Sequence, residues 1–377
     1  MVEKNSNQQG NIVEGLIEVP PNKDGFLRSK PPFWNITPRD PFVHRNIVKD
    51  YNLRQGQYIV ASYSRKKGPV PQIDKIISID GTDPDEYHDF RPFEELTAID
   101  PNEQLLLETT PDVMSTRIID LFTPIGKGQR SLIVAPPRTG KTILLQQIAA
   151  AVTTNYPEAK LIGMLIDERP EEVTDMTRKI NATFFASSND KPTDSHVRMG
   201  RLGFAYAQRL LEAGHDVVVL LDSLTRLGRA YNNWTKSGTQ TGRVMSGGID
   251  AGALQLPKRL FGSARNAENG GSLTVIATAL IETGSRMDEV IFNEFKGTGN
   301  MELILDRQIA NNRIYPAINL NESGTRKEEL LIREQDLDKI HKLRRHLHGM
   351  PQGQDVQMLI KALKTQKNNS KFLDYLP

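Results

Sequence analysis

SLIVAPPRTGKTILLQQIAAAVTTN, residues 131–155, joins an apolar run to a short loop and then to a helical pattern. The run 131–136 reads as a buried strand, and the stretch after Gly140 is filled with helix formers and free of Gly and Pro. The loop between them, APPRTGKT (135–142), ends in the final part of the phosphate-cradling pattern G-x-x-x-x-G-K-[ST]. Its start departs from that pattern, because Ala135 stands in place of the first glycine and is followed by Pro136 and Pro137. That position lies on the strand side of the loop, where a residue of negative φ serves. The prolines stiffen the loop and remove N–H groups that cannot be the phosphate-binding ones. A phosphate site needs converging backbone N–H groups, a lysine for the outer phosphates and a hydroxyl for Mg²⁺, set at a helix N-terminus. Pro137, Arg138, Thr139, Gly140, Lys141, Thr142 and Ile143 are therefore expected to bind a triphosphate, with Thr142 toward Mg²⁺.

Outward from this unit, apolar strands alternate with helices. KLIGMLID (160–167), ATFFASS, DVVVLLD (216–222), SLTVIATALI (272–281) and MELIL (301–305) read as strands, and the segments among the first four as helices. This rhythm predicts an α/β P-loop domain with a mostly parallel, doubly covered sheet over 113–377. Asp222 ends one strand in the manner of a Mg²⁺-holding acid, directly or through water; a helix-capping aspartate is the plain alternative. Asp167, Glu168 and Arg169 end another, at the carboxyl edge where open α/β sheets bind ligands, and a carboxylate there can deprotonate an attacking water. Arg326, in ESGTRKEELL, lies on a short loop far along the chain and is a candidate for a γ-phosphate contact, in cis or from a neighbouring subunit.

The N-terminal part reads differently. Residues 1–11 form a polar tail; 12–81 show short apolar runs broken by Pro, Gly, Asn and Asp, as in an OB-like β-barrel; 82–112 are acidic and proline-bearing and read as a linker. Between Arg28 and Lys67 stand nine Lys or Arg and two acidic residues, interleaved with Phe33, Trp34, Phe42, Tyr51, Tyr58 and Tyr63. Basic groups plus aromatics on a small barrel suit single-stranded nucleic acid, through phosphate attraction and base stacking; about half of the aromatics are expected in the core. The chain has 377 residues, net charge +2 and no cysteine, which excludes disulfides, thiolate metal sites and a cysteine nucleophile. No apolar stretch reaches transmembrane length and the N-terminus is unlike a secretory signal, so the simplest reading is a cytoplasmic protein with no membrane partner. HKLRRHLHG (341–349) holds three of the seven histidines and reads as a basic amphipathic helix rather than a metal site.

APPRTGKT, LIDERPEEVTDM, LLDSLTRLGRAYN, GSLTVIATALIETGSRMDEVIFNEFKGTGNMEL and SGTRKEELL together resemble the bacterial transcription termination factor Rho family, from about 113 to the end and more loosely over 12–81. The resemblance implies that the α/β domain is RecA-like and works in an ATP- and Mg²⁺-dependent ring hexamer that translocates 5′ to 3′ along pyrimidine- or C-rich single-stranded RNA. RNA polymerase and Nus-type elongation factors are its implied partners, in the bacterial cytoplasm. It implies Lys141, Glu168 (general base), Asp222, Arg326 (a finger acting across a subunit boundary) and Arg313 (a second γ-phosphate sensor) as catalytic residues. Arg169 becomes a polar neighbour of the site, and Tyr315 the aromatic that stacks on adenine. Phe26, Arg28 and Phe42 become the primary RNA site; Arg243, Val244, Gly248, Thr283, Gly284 and Arg286 the secondary site inside the ring. The chain departs from the family pattern at Asp24, where an aromatic is usual, and in KKGPVPQID, which lacks the tyrosine and glutamate of the cytosine pocket. Arg138 replaces a common lysine, loop 234–250 is a few residues longer than usual, and the family's small helical subdomain ahead of the barrel is missing. A rotary or secretion-type ATPase subunit is the rival reading within the fold. A nucleic-acid-binding protein with a purely structural nucleotide site is the rival outside it.

Overall fold

The computed structural model of the chain describes residues 11–20, 23–29, 31–64, 70–87, 90–236 and 244–376. Five strands close the expected barrel: β1 (Asn11–Glu18), β2 (Gly25–Arg28), β3 (Phe42–Val43), β4 (Tyr58–Ser64) and β5 (Gln72–Ile79). β4 and β1 pair antiparallel along six residues, which closes the cylinder and leaves neither of these strands with a free edge. Ile17, Leu27, Val43, Ile59, Ala61, Ile76 and Ile79 fill its interior. One element breaks the all-β expectation, a helix at Arg45–Asp50 whose start is capped by His44. Asp24 accepts a hydrogen bond from the Arg45 N–H at 2.8 Å, so the residue that stands where an aromatic was expected serves this helix start.

A mixed sheet of nine strands among the described residues builds the rest. It comprises β6 (Ala98–Ile99), β7 (Arg130–Ala135), β8 (Lys160–Glu168), β9 (Thr183–Ser188) and β10 (Asp216–Asp222). After a two-stranded hairpin of β11 (Val244–Met245) and β12 (Ile249–Asp250), it continues with β13 (Arg265–Ala267), β14 (Ser272–Leu280), β15 (Met301–Ile304) and β16 (Gly324–Thr325). The main path runs β16-β15-β7-β14-β10-β8-β9, with its central strands parallel. Those strands are almost wholly buried, the physical reason for their unbroken apolar runs: helices cover both faces. The helix Lys141–Asn155 follows β7, and helices at Glu334–Leu347, Gln354–Leu363 and Asn369–Tyr375 close the C-terminal end.

The segment 82–112 is not a free linker. Ala98 and Ile99 pair with β13, Leu105 and Leu107 are buried in the core of the nucleotide-binding domain, and Phe93 lies 3.7 Å beneath the Arg265 guanidinium. The alternation of buried Leu105 and Leu107 with exposed Leu106 is a strand-like signal that the acidic, proline-bearing composition masked. The barrel is docked just as firmly. Trp34 stacks on Phe185 at 5.5 Å and donates from Nε1 to the Phe184 carbonyl at 2.9 Å. Phe33 and Tyr58 also pack against domain cores outside the barrel, while Tyr51 and Tyr63 pack against the barrel's own.

Candidate functional site

The carboxyl ends of β7, β8 and β10 bring the expected nucleotide residues together. After β7 the chain turns through Arg138, at φ +68, and Gly140, at φ +89, and starts its helix at Lys141. Both conformations are left-handed, and at Gly140 it is this backbone that calls for glycine, since a side chain there would make only ordinary contact with the Tyr315 ring at 3.6 Å. The Thr139 hydroxyl donates to the Pro136 carbonyl at 2.8 Å and locks the loop from inside. Tyr315 is 48% exposed and, with Pro316, Met114, Thr139 and Ile143, lines a cavity of about 290 Å³ beside the loop. An aromatic face open to solvent next to a phosphate loop is the surface a base can stack on.

Lys141 places its ammonium 2.5 Å from Asp222 Oδ1 and 3.7 Å from Glu168 Oε1. Burial works against its charge, but Asp222 and Glu168 outweigh burial and raise its pKa. Thr278, on β14, donates its hydroxyl to the same Asp222 oxygen at 2.7 Å. Glu168 is 2% exposed, and neither of its buried oxygens has a hydrogen-bond partner. Arg226 Nε approaches it to 2.9 Å without the alignment of a hydrogen bond, while Nη1 of the same guanidinium donates to the Asp167 carbonyl. Burial first and repulsion by Asp222 second push the Glu168 carboxyl up to about 8, against the pull of Lys141 and Arg226. A buried carboxyl held at about 8, with neither oxygen hydrogen-bonded, can exchange a proton with an adjacent water. Neither Arg226 nor Thr278 was singled out from the sequence. Both lie inside regular helix and strand patterns, and only the strand order β7-β14-β10-β8 carries them to the acids.

Among the described residues no three His, Asp or Glu converge as a metal cage. One hydroxyl and one carboxylate beside a phosphate loop is, however, a donor set that Mg²⁺ accepts when phosphates and waters complete its shell, so Thr142 and Asp222 fit it. Arg169 precedes the helix Pro170–Lys179 and comes within 3.9 Å of Glu172, with its side chain 64% exposed. Arg313, exposed and at φ +59, stands two residues from Tyr315. Arg326 is elsewhere. Thr325 pairs with Met301, and Met301 with Ser131 at the start of β7, so Arg326 sits at the opposite end of the sheet from the phosphate loop.

Of the expected primary RNA residues, Phe26 and Phe42 meet edge to face at 5.6 Å on the barrel surface, and Phe26 is 37% exposed. Arg28 requires a correction. Its guanidinium lies 5.1 Å from the Phe26 ring, but it is 6% exposed and committed to Glu18, at 2.7 Å, and to Asp40. Glu18 in turn binds Arg198 of the nucleotide-binding domain at 2.7 Å, and its pKa is lowered because the two arginines outweigh burial. Arg28 therefore holds the barrel and its docking rather than offering a free charge. Arg28→Ala is expected to cost about 2 kcal/mol, because Asp40 loses its cation and Glu18 keeps only Arg198 of its two, read as a drop in melting temperature. Phe26→Ala is expected to leave melting unchanged and weaken RNA binding about tenfold, from one lost stacking contact.

The secondary-site residues come together in part. The hairpin β11–β12 rests on the start of the helix Arg286–Lys296, where a side chain at Gly247 would lie 2.9 Å from the Arg286 carbonyl. The Thr283 hydroxyl donates to Asp288 at 2.6 Å, and Thr283, Gly284 and Arg286 are exposed beside the hairpin that contains Gly248. Val244 contributes backbone to β11, and Arg243 lies outside the described residues. Trp234, without an assigned role in the sequence, has the Arg201 guanidinium 4.7 Å over its ring.

Comparison with known proteins adds two family matches. Residues 115–325 match the ATP synthase alpha/beta family, nucleotide-binding domain, and residues 13–85 match the Rho termination factor, RNA-binding domain. The chain is 49% identical over 366 residues to the transcription termination factor Rho of Cereibacter sphaeroides, covering 96% of this chain and 86% of that protein. It is 48% identical over 366 residues to that of Pseudomonas aeruginosa, covering 96% and 87%. Against the Rho factor of Streptomyces lividans it is 50% identical over 366 residues but spans 51% of that protein. A solved structure described as a prototypical ATPase from the type III secretion system of pathogenic bacteria aligns with TM-score 0.63 at 19% identity, covering 82% of this chain and 91% of that one. That likeness is one of fold. Among the described residues no helix is long and apolar enough to cross a membrane.

Proposed function

The chain belongs to the transcription termination factor Rho family, and its function is Rho-type transcription termination; from that premise we propose that it is an RNA-dependent ATPase and 5′-to-3′ translocase, working as a homohexamer that pulls nascent RNA from RNA polymerase, in contact with Nus-type elongation factors. The observation that carries the enzymatic part is Glu168, a buried carboxylate without hydrogen-bond partners, 3.7 Å from the ammonium of the phosphate loop.

ATP would lie with adenine on Tyr315 and its phosphates over Gly140, Lys141 and the helix start. Lys141 leaves Asp222 for the phosphate oxygens. Thr142 and Asp222 would hold a Mg²⁺ ion, which would supply charge neutralisation on the phosphates. Glu168 takes a proton from water, the water oxygen bonds to Pγ, and the bond from Pγ to the bridging oxygen breaks with its electron pair going to ADP. Arg326 of the adjacent subunit stabilises the charge on the transferring group, Arg313 supplies a second cation, and Arg169 borders the site. RNA binds first on Phe26 and Phe42 and then along Thr283, Gly284, Arg286, Gly248, Val244 and Arg243 in the ring. Asp24 and the altered PVPQID stretch leave a primary site made of these two rings, which is expected to tolerate uridine as well as cytidine.

The deciding experiment is ATP hydrolysis with and without poly(C), poly(U) and single-stranded DNA. Strong stimulation by the RNAs and little by DNA is expected; a rate indifferent to all three would favour a secretion- or rotary-type ATPase. RNA affinity is also expected to fall steeply between low and moderate salt as phosphate counterions are released, measured by fluorescence anisotropy.

A further inference from the structure

The loop that carries Arg326 is held by a group of side chains with no part in the steps above. From Ser323 to Glu328 the chain turns tightly, with Arg326 exposed near its middle and Lys327 in the left-handed region at φ +57. Inside the loop, the Thr325 hydroxyl donates to the Pro124 carbonyl at 2.8 Å and the Arg326 N–H to the Asn300 carbonyl at 2.9 Å. With the pairing of Gly324 and Thr325 to β15, these bonds fix the inner side of the loop. The two ends are closed by one residue from the C-terminal helix Glu334–Leu347. Arg344 places Nη1 3.4 Å from the Ser323 carbonyl and Nη2 3.4 Å from Glu328 Oε2, and Nη2 also donates to the Phe122 carbonyl. Its guanidinium lies 4.8 Å over the Phe122 ring, which sets its plane. The second Glu328 oxygen meets His341 Nε2 at 3.0 Å, one helical turn before Arg344. Glu328 is thus gripped at both oxygens by two residues of one helix face, three positions apart.

This arrangement is more than an exposed ion pair. Glu328 is 17% exposed and Arg344 23%, and a guanidinium that joins the entry and exit of a six-residue turn restrains the turn's width. By contrast, the pair Lys327–Asp100, at 2.7 Å, has both side chains more than half exposed and contributes little. We propose that Arg344 and His341, closing on Glu328 and Ser323, form a clamp that aims Arg326 outward toward the phosphates of the neighbouring subunit. They are positioning residues; they touch neither nucleotide nor RNA. The inference rests on the reading of Arg326 as a finger acting in trans. It also gives the histidine-bearing C-terminal helix a task beyond packing.

Arginine contributions to phosphoryl transfer depend on placement, since a finger acts on charge that appears only in the transition state. His341→Ala and Glu328→Gln are therefore expected to lower RNA-stimulated kcat about tenfold or more while KM for ATP and RNA affinity stay within about twofold. His341→Gln, which keeps a donor, is expected to recover most of the loss. His341 is partly exposed, so its variants keep the fold, which melting curves verify. The decisive arm repeats both substitutions in an Arg326→Ala background, where the clamp has nothing left to aim and no further loss is expected. Additional loss there, of the same size as in the parent, would make the effect structural and overturn the clamp. Parental kcat in both single variants would overturn it as well. Failure of the finger itself shows separately, as an Arg326→Ala chain that hydrolyses ATP at the parental rate.

Discussion

Glu168→Gln is expected to bind ATP as tightly as the parent chain and to turn it over about a thousandfold more slowly, within the range a positioned general base supplies. Gln fills the same space beside Lys141 and Arg226, so the phosphate loop keeps its shape while the proton acceptor is lost. Fluorescent-nucleotide titration and RNA-stimulated hydrolysis separate the two effects, and retained turnover would sink the assignment. The same variant carries a stability signature of opposite sign. Burial and Asp222 hold the Glu168 carboxyl at about 8, above its ordinary 4.5, so the folded chain keeps a proton that the unfolded chain releases. Stability from that proton is whole below the ordinary value and is lost as pH climbs toward 8. A glutamine cannot ionise and escapes the loss. Without nucleotide, parent and variant are expected to melt alike near about pH 5, and the variant several degrees higher near about pH 8. Equal melting at both would mean that the charge at Glu168 is not disfavoured. A gain in stability paired with a loss of function is what a strained catalytic group produces.

Arg326→Ala is expected to reduce RNA-stimulated hydrolysis by about a thousandfold, the lower end for a missing arginine finger. The sheet register carries the argument for action between subunits. Met301, the partner of Thr325, is itself paired with Ser131, and the phosphate loop starts only after Ala135. Along β7 that is about 13 Å before the loop begins, further than an arginine side chain spans. Mixing supplies the test. A site between two subunits takes Glu168 from one and Arg326 from the other, so combining Glu168→Gln chains with Arg326→Ala chains restores some intact sites. Hydrolysis above that of either variant alone is expected. A mixture no more active than its parts, together with simple linear dilution by parental chains, would place Arg326 in its own subunit's site.

These two predictions differ in how far the sequence led. Glu168 and Asp222 were legible as candidates because each stands at the end of an apolar run, where chain direction and strand burial put it on the carboxyl edge of a parallel sheet, and Lys141 and Thr142 because the phosphate-loop pattern ends in them at a helix start. The tasks of Arg226, Thr278 and Arg344 were not legible, since an arginine in a helix or a threonine in a strand fits its local pattern equally well with or without a task. Their partners lie 58, 56 and 16 positions away, at Glu168, Asp222 and Glu328, and only the assembled core brings them within reach. Arg28 shows the converse. The local density of basic and aromatic residues offered it to RNA, while Glu18, Asp40 and the distant Arg198 hold it and its partner within the protein.

By itself the sequence determined the two domains, the strand–loop–helix unit at 131–155 and the acids at the strand ends, because hydrophobic period and loop chemistry are encoded within a few residues of each other. The tertiary structure alone decided which aromatics stay exposed on the barrel, that Ala98 and Ile99 pair into the sheet, that Glu168 is buried without a hydrogen-bond partner, and that Arg326 sits at the far end of the sheet from its own phosphate loop. Those outcomes depend on which distant segments exclude water together and on the register in which strands pair, and neither quantity is written in any local stretch of the chain.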